Sequence, residues 1–168
     1  RIHLHRICSG QPLHGLSKKI MENTTLNILL ADDDESDRFL FKEAFEEMKV
    51  KTNVYTVNDG LQFMVYLSQE NVTLPHLLFL DLNMPRKNGL ECLKEIRSIE
   101  KLKDISIAIY STSASEKDIE ETFLFGANVY IQKPSDFSEL KHVLHKAVMT
   151  AFVYQEPPFN KANFLMRM

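Results

Sequence analysis

From Asn27 to about Ala147 the chain repeats one unit five times: a short apolar run, a turn, then a stretch with apolar residues at helical spacing. Few folds accept that order. A short run that is apolar on both faces needs cover on both sides of a sheet. Strands alternating with helices through short loops supply that cover as a parallel sheet with right-handed crossovers. The spacing predicts strands near 27–32, 51–57, 76–81, 105–110 and 129–132. The predicted helices lie near 36–48, 61–69, 88–97 and 115–125, with a fifth capped by Ser135 or Asp136. Leu40, Phe41, Ala44, Phe45 and Met48 form the stripe of the first helix, and Phe137, Leu140, Leu144 and Ala147 that of the fifth. Glu116 and Asp118 suit the positive end of the fourth helix, and Gly126 suits its stop. The fold class is α/β.

The third strand carries the first chemically informative residue. Leu77-Leu78-Phe79-Leu80 runs straight into Asp81, and Pro85 and Asn88-Gly89 then turn the chain. Asp81 thus falls at the carboxyl end of a central strand, where open α/β sheets bind ligands. Alone it would read as a turn or helix cap. A second apolar run, Ile28-Leu29-Leu30-Ala31, ends in Asp32, Asp33 and Asp34. Neighbouring parallel strands would bring these carboxylates together, and like charges that close need a cation. Mg²⁺ takes one or two carboxylates with water and leaves room for a phosphate oxygen; Mn²⁺ would also serve.

Two other strand ends add to that edge. Ser111-Thr112 follows the fourth strand, and Lys133-Pro134 follows the fifth. Singly these are ordinary loop residues. Together they make a phosphoryl-acceptor set: Asp81 as nucleophile, a cation on Asp33 and Asp81, Lys133 as a compact positive charge, and Ser111 or Thr112 as hydroxyl donor. A cis bond at Lys133-Pro134 would aim the ammonium inward.

Bulk properties narrow the classes. A formal net charge of −3 argues against a nucleic-acid backbone binder. The longest apolar runs are too short for a bilayer. Cys8 and Cys92 lack metal-ligand spacing, and Cys92 reads as a small packed residue, which fits a cytoplasmic location. Residues 1–20 have no period and hold His3, His5 and His14; they read as an upstream or appended extension, leaving a domain at 21–148 and a tail at 149–168.

On LLADDD (29–34), LDLNMP (80–85) with Asn88-Gly89, Ser111, and Tyr130 to Lys133-Pro134, the chain resembles the receiver domain of bacterial two-component response regulators. The resemblance covers about residues 26–148. It implies a flavodoxin-like (βα)5 fold with a five-stranded parallel sheet in the order 2-1-3-4-5, the order of a chemotaxis receiver, and helices on both faces. It implies that Asp81 is the phosphorylated aspartate and that Asp33 binds Mg²⁺ directly. Asp32 would act mostly through water, and Asn83 would lend its backbone carbonyl. Ser111 becomes the switch hydroxyl, Tyr130 the switch aromatic and Lys133 the lysine paired with the acids. Ser stands at 111 where Thr is commoner, and Asp34 is an extra acid that reads as a helix-start residue. Asn83 and Ser113 flank the approach of a hydrolytic water. His76, at the far end of its strand, reads as structural.

The implied donors are a sensor histidine kinase or a histidine phosphotransfer protein. The implied output is a changed protein contact at the face of the fourth helix, fifth strand and fifth helix. About twenty residues follow the last domain helix, too few for an output domain, so a stand-alone receiver is expected. Ala151 to Tyr154 would extend that helix until Pro157-Pro158. Phe159, Phe164 and Leu165 would then either cover the domain's own apolar surface or form a homodimer or kinase contact. Two rivals belong to other classes. A haloacid-dehalogenase-like phosphatase would carry an acid where Asn83 stands, and a phosphorylation-independent adaptor would not need the acids, hydroxyl and lysine. Flavin binding has no supporting phosphate loop.

Overall fold

The computed structural model describes residues 25–48, 50–153 and 164–166. Its strands are β1 (Leu26–Ala31), β2 (Thr52–Val57), β3 (Leu77–Leu80), β4 (Ser106–Ser111), β5 (Val129–Gln132) and β6 (Leu165–Met166). The helices are α1 (Glu35–Glu47), α2 (Gly60–Ser68), α3 (Gly89–Ser98), α4 (Glu116–Leu124) and α5 (Phe137–Val153). All strand pairs are parallel, in the order β2-β1-β3-β4-β5-β6. The five expected strands stand in the expected 2-1-3-4-5 order, and a short sixth is added beyond β5.

The central strands are apolar throughout because consecutive side chains enter two different cores. Leu77 and Phe79 join Ile28 and Leu30 against α1 and α5, with Phe41, Phe45, Leu140 and Leu144. Leu78 and Leu80 join Leu29 and Ala31 against α2 and α3, with Phe63, Leu67, Leu93 and Ile96. In the first core Phe41 packs edge-on against Phe79 at 4.9 Å and tilted against Phe45 at 5.0 Å. Each fully buried side chain of this size contributes about 1.5–3 kcal/mol. The predicted stripe of α1 holds at Phe41, Ala44 and Phe45, whereas Leu40 is exposed because its position lies at the margin of the apolar sector.

Caps set where the helices begin. Asp34 accepts the Ser36 and Asp37 N–H groups and starts α1, the role its helix-start reading gave it. Asn88 and Glu91 form a reciprocal capping box on α3. Asp136, rather than Ser135, caps α5 by accepting from Ser138 and Glu139. His76 Nδ1 accepts the Asn27 N–H at 2.9 Å and ties β3 to β1 at the end away from Asp81. Cys92 is buried, and burial pushes its thiol up to about 12, so it stays a neutral packing group.

The tail resolves one open alternative in part. Phe164 is fully buried against Phe123 at 5.1 Å and Tyr130 at 6.2 Å, and Leu165 pairs with Tyr130 in the sheet. This portion covers the domain's own apolar surface. A two-residue strand carries no periodicity, so the pattern of the sequence could not mark it. Residues 1–24, Tyr154, Pro157, Pro158 and Phe159 lie outside the described residues.

Candidate functional site

The parallel register delivers four strand ends to one edge of the sheet. Ala31 is level with Leu80, so Asp32 and Asp81 emerge side by side, and the Asp81 N–H donates to the Ala31 carbonyl at 2.9 Å. Ser111 and Gln132 are level in β4 and β5, and the Lys133 N–H donates to the Ser111 carbonyl at 2.9 Å.

Asp32, Asp33 and Asp81 each offer one carboxylate oxygen within 4.8 Å of the others. Asp32 is fully buried, Asp81 is 5% exposed and Asp33 is exposed, so the cluster opens to solvent on the Asp33 side. Asp32 Oδ1 accepts the Asp34 N–H at 3.0 Å. Its Oδ2 is buried and lies 2.7 Å from Lys133 Nζ, so the ammonium is its one close partner among the described residues. Burial, the largest influence, drives the Asp32 carboxyl up to about 6 against the opposing pull of Lys133. A buried carboxylate that resists ionisation and an all-oxygen donor set within 4.8 Å together fit a hard divalent cation.

Lys133 is the positive centre. Its Nζ stands 2.7 Å from Asp32, 2.8 Å from Asp37 and 3.2 Å from Asp81, with the side chain 7% exposed. Burial works against the charge, yet the hydrogen bonds and fields of Asp32 and Asp37 outweigh it and hold the ammonium above the usual lysine range. Nζ also lies 5.2 Å from the Tyr110 ring centroid. The bond to Pro134 is trans, since the described residues include no cis peptide; the strand exit alone aims the lysine inward. Asp37 is the site residue the sequence reading missed. In isolation an acid in the first turn of a helix is explained by the helix dipole. The available signal was Asp34: as the cap, it puts Asp37 one turn into α1, facing back over the strand ends.

Ser111 is buried at the end of β4, and its Oγ accepts the Ser113 N–H at 3.2 Å. Thr112 is exposed on the adjoining loop. Ser113 Oγ donates to Asp118 at 2.5 Å. Tyr130 is fully buried, and its hydroxyl donates to the Ser113 carbonyl at 3.0 Å. Burial, chiefly, raises its phenol above the ordinary tyrosine range.

The β3–α3 loop is pinned at both ends. A Cβ on Gly89 would stand 2.1 Å from the Asp81 carbonyl oxygen, and one on Gly60 would stand 2.1 Å from that of Lys87. Only glycine permits either approach. Arg86, at φ 66°, reaches Asp59, a fully buried carboxylate that also caps α2 through the Gln62 N–H. Asn83 is exposed at the mouth of the cluster, and its N–H donates to Asp81 Oδ1 at 3.3 Å.

The model of the response regulator receiver domain family matches residues 28–145. Response regulator Rcp1 of Synechocystis sp. is 33% identical over 117 residues, which are 67% of this chain and 80% of Rcp1. The phosphorylated cyanobacterial phytochrome response regulator RcpA superposes with a TM-score of 0.71 at 36% identity, covering 80% of this chain and 98% of that one. The Mn²⁺-bound form of Rcp1 gives 0.68 at 29%, covering 80% and 99%. The chain belongs to the response regulator receiver domain family. Its signalling rests on aspartate phosphorylation at the acidic cluster, within a phosphorelay, and the cluster is one that could hold a metal ion. No helix among the described residues is long and apolar enough to cross a membrane.

Proposed function

We propose that Asp81 is the phosphoacceptor, and that it takes its phosphoryl group from the phosphohistidine of a sensor kinase or a histidine phosphotransfer protein. The observation that carries this reading is the meeting of Asp81, Asp32 and Lys133 at one rim, with Lys133 Nζ 3.2 Å from Asp81. An oxygen of Asp81 attacks phosphorus and forms the new O–P bond. The N–P bond of the donor breaks, and the imidazole nitrogen leaves with the electron pair and takes up a proton. Lys133 offers its ammonium to an oxygen of the transferring group, and Ser111 or Thr112 offers a hydroxyl to another. Asp32, Asp33, Asp81 and the Asn83 backbone carbonyl would hold the cation, Mg²⁺ by preference or Mn²⁺. When bound, it supplies positive charge against the carboxylates and phosphoryl oxygens.

Output passes through Ser111 and Tyr130 to the face of α4, β5 and α5. The contact of Phe164 with Tyr130 supports this reading by putting the tail at that face, and a homodimer through the same face is the competing occupant of that surface. Asp81→Asn removes the nucleophile and is expected to abolish incorporation of phosphate from acetyl phosphate, read by intact mass. Undiminished incorporation in that variant would overturn the assignment.

A further inference from the structure

We propose that Asp37 is a positioning residue for phosphoryl transfer: it anchors the Lys133 ammonium beside Asp81 throughout the reaction. This rests on the reading of Asp81 and Lys133 given above. Three carboxylates surround Nζ, and they are not equivalent. Asp32 is the nearest at 2.7 Å, but it belongs to the trio of carboxylates whose oxygens fit a cation. Asp81 is the most distant at 3.2 Å, and it ceases to be a carboxylate when one of its oxygens becomes the bridge of an acyl phosphate. Asp37 accepts a hydrogen bond from Nζ at 2.8 Å and stands outside the trio of oxygens that fit a cation.

Neither cation binding nor phosphorylation therefore claims Asp37. Its backbone is held as well, since its own N–H donates to the Asp34 cap at 3.1 Å. A lysine side chain is long and flexible, and an ammonium left with only reacting partners would follow them. A fixed acceptor on α1 sets its reach.

The test is a double-mutant cycle on the full chain, with acetyl phosphate as donor and intact mass as the readout of rate. Asp37→Ala is expected to slow phosphorylation roughly ten- to hundred-fold, the scale of a misplaced catalytic group. Asp37→Asn keeps an oxygen acceptor in the same place and should retain more of the rate, and it also serves if the alanine variant folds poorly. In the Lys133→Ala background, Asp37→Ala should have no further effect. A separate readout is the Lys133 Nζ resonance of the unphosphorylated protein, which should shift and broaden in Asp37→Ala.

An Asp37→Ala variant at the wild-type rate would overturn the proposal. So would an equal slowing with and without Lys133, since Asp37 would then act on the site without the lysine. If Lys133→Ala alone reacts at the wild-type rate, the role given to Lys133 falls, and this proposal with it. Loss of phosphorylation in Asp81→Asn stands apart from all three results.

Discussion

The carboxyl rim of the sheet and the β5–β6 edge each bring buried side chains together, and they are held by opposite means. At the rim, three carboxylates stand around one ammonium, two more negative charges than it can balance. At the edge, Tyr130, Phe123 and Phe164 meet through ring faces and edges, and one hydroxyl bond to Ser113 satisfies the polar atom. Buried apolar contact stabilises the fold outright, whereas buried charge contributes little or costs stability until a partner arrives. The rim is thus built to react, and the edge to hold. Substitutions in the two regions should separate chemistry from stability.

The largest effect is expected at Asp32. Its carboxyl lies near 6 in the folded chain against 3.8 for the free group. A raised acid favours folding fully below the unfolded value and loses that contribution as pH rises through the folded one. The metal-free protein should therefore lose stability between about pH 4 and pH 7 through this group, by at most on the order of 3 kcal/mol. Asp32→Asn should flatten that slope and make the metal-free protein more stable at pH 7, while weakening cation binding. Urea titrations in chelator at the two pH values measure the first effect, and calorimetry with Mg²⁺ the second.

Phe164→Ala should act in the reverse sense. Losing a fully buried ring at a sheet edge should cost about 2 kcal/mol in urea midpoint analysis, less than for a ring in the central core. Phosphorylation by acetyl phosphate should stay within about two-fold of wild type, because no rim atom moves. A large rate change would show that edge and rim are one unit and would break the contrast.

Arg86→Ala should have the smallest effect, roughly 1–2 kcal/mol, since Asp59 keeps the Gln62 N–H when its charged partner goes. Hydrogen exchange should localise the loss to residues 82–88. An effect spread over the whole sheet would instead make this pair part of the core.

The rim was legible because each of its groups follows an apolar strand, so the strand pattern alone brought Asp32, Asp81, Ser111 and Lys133 to one edge. The order of the strands came with the family resemblance, since periodicity does not specify which strands are neighbours. Asp37 was hidden by a sufficient local explanation: an acid in the first turn of a helix. Covering the domain's own surface was one of two readings open for Phe164; its partner was hidden by distance, since Tyr130 lies 34 residues earlier and β6 is two residues long. The bond at Lys133-Pro134, which could have been cis, is trans, since Pro permits the cis isomer without requiring it.

Locating the phosphoryl group on the chain separates Asp81 from every other acceptor. After treatment with acetyl phosphate, borohydride reduction converts an aspartyl phosphate to homoserine, which peptide mass mapping can place. Homoserine is expected at position 81 and nowhere else. Homoserine at 32, 33 or 37, or phosphate retained on a histidine, would contradict it.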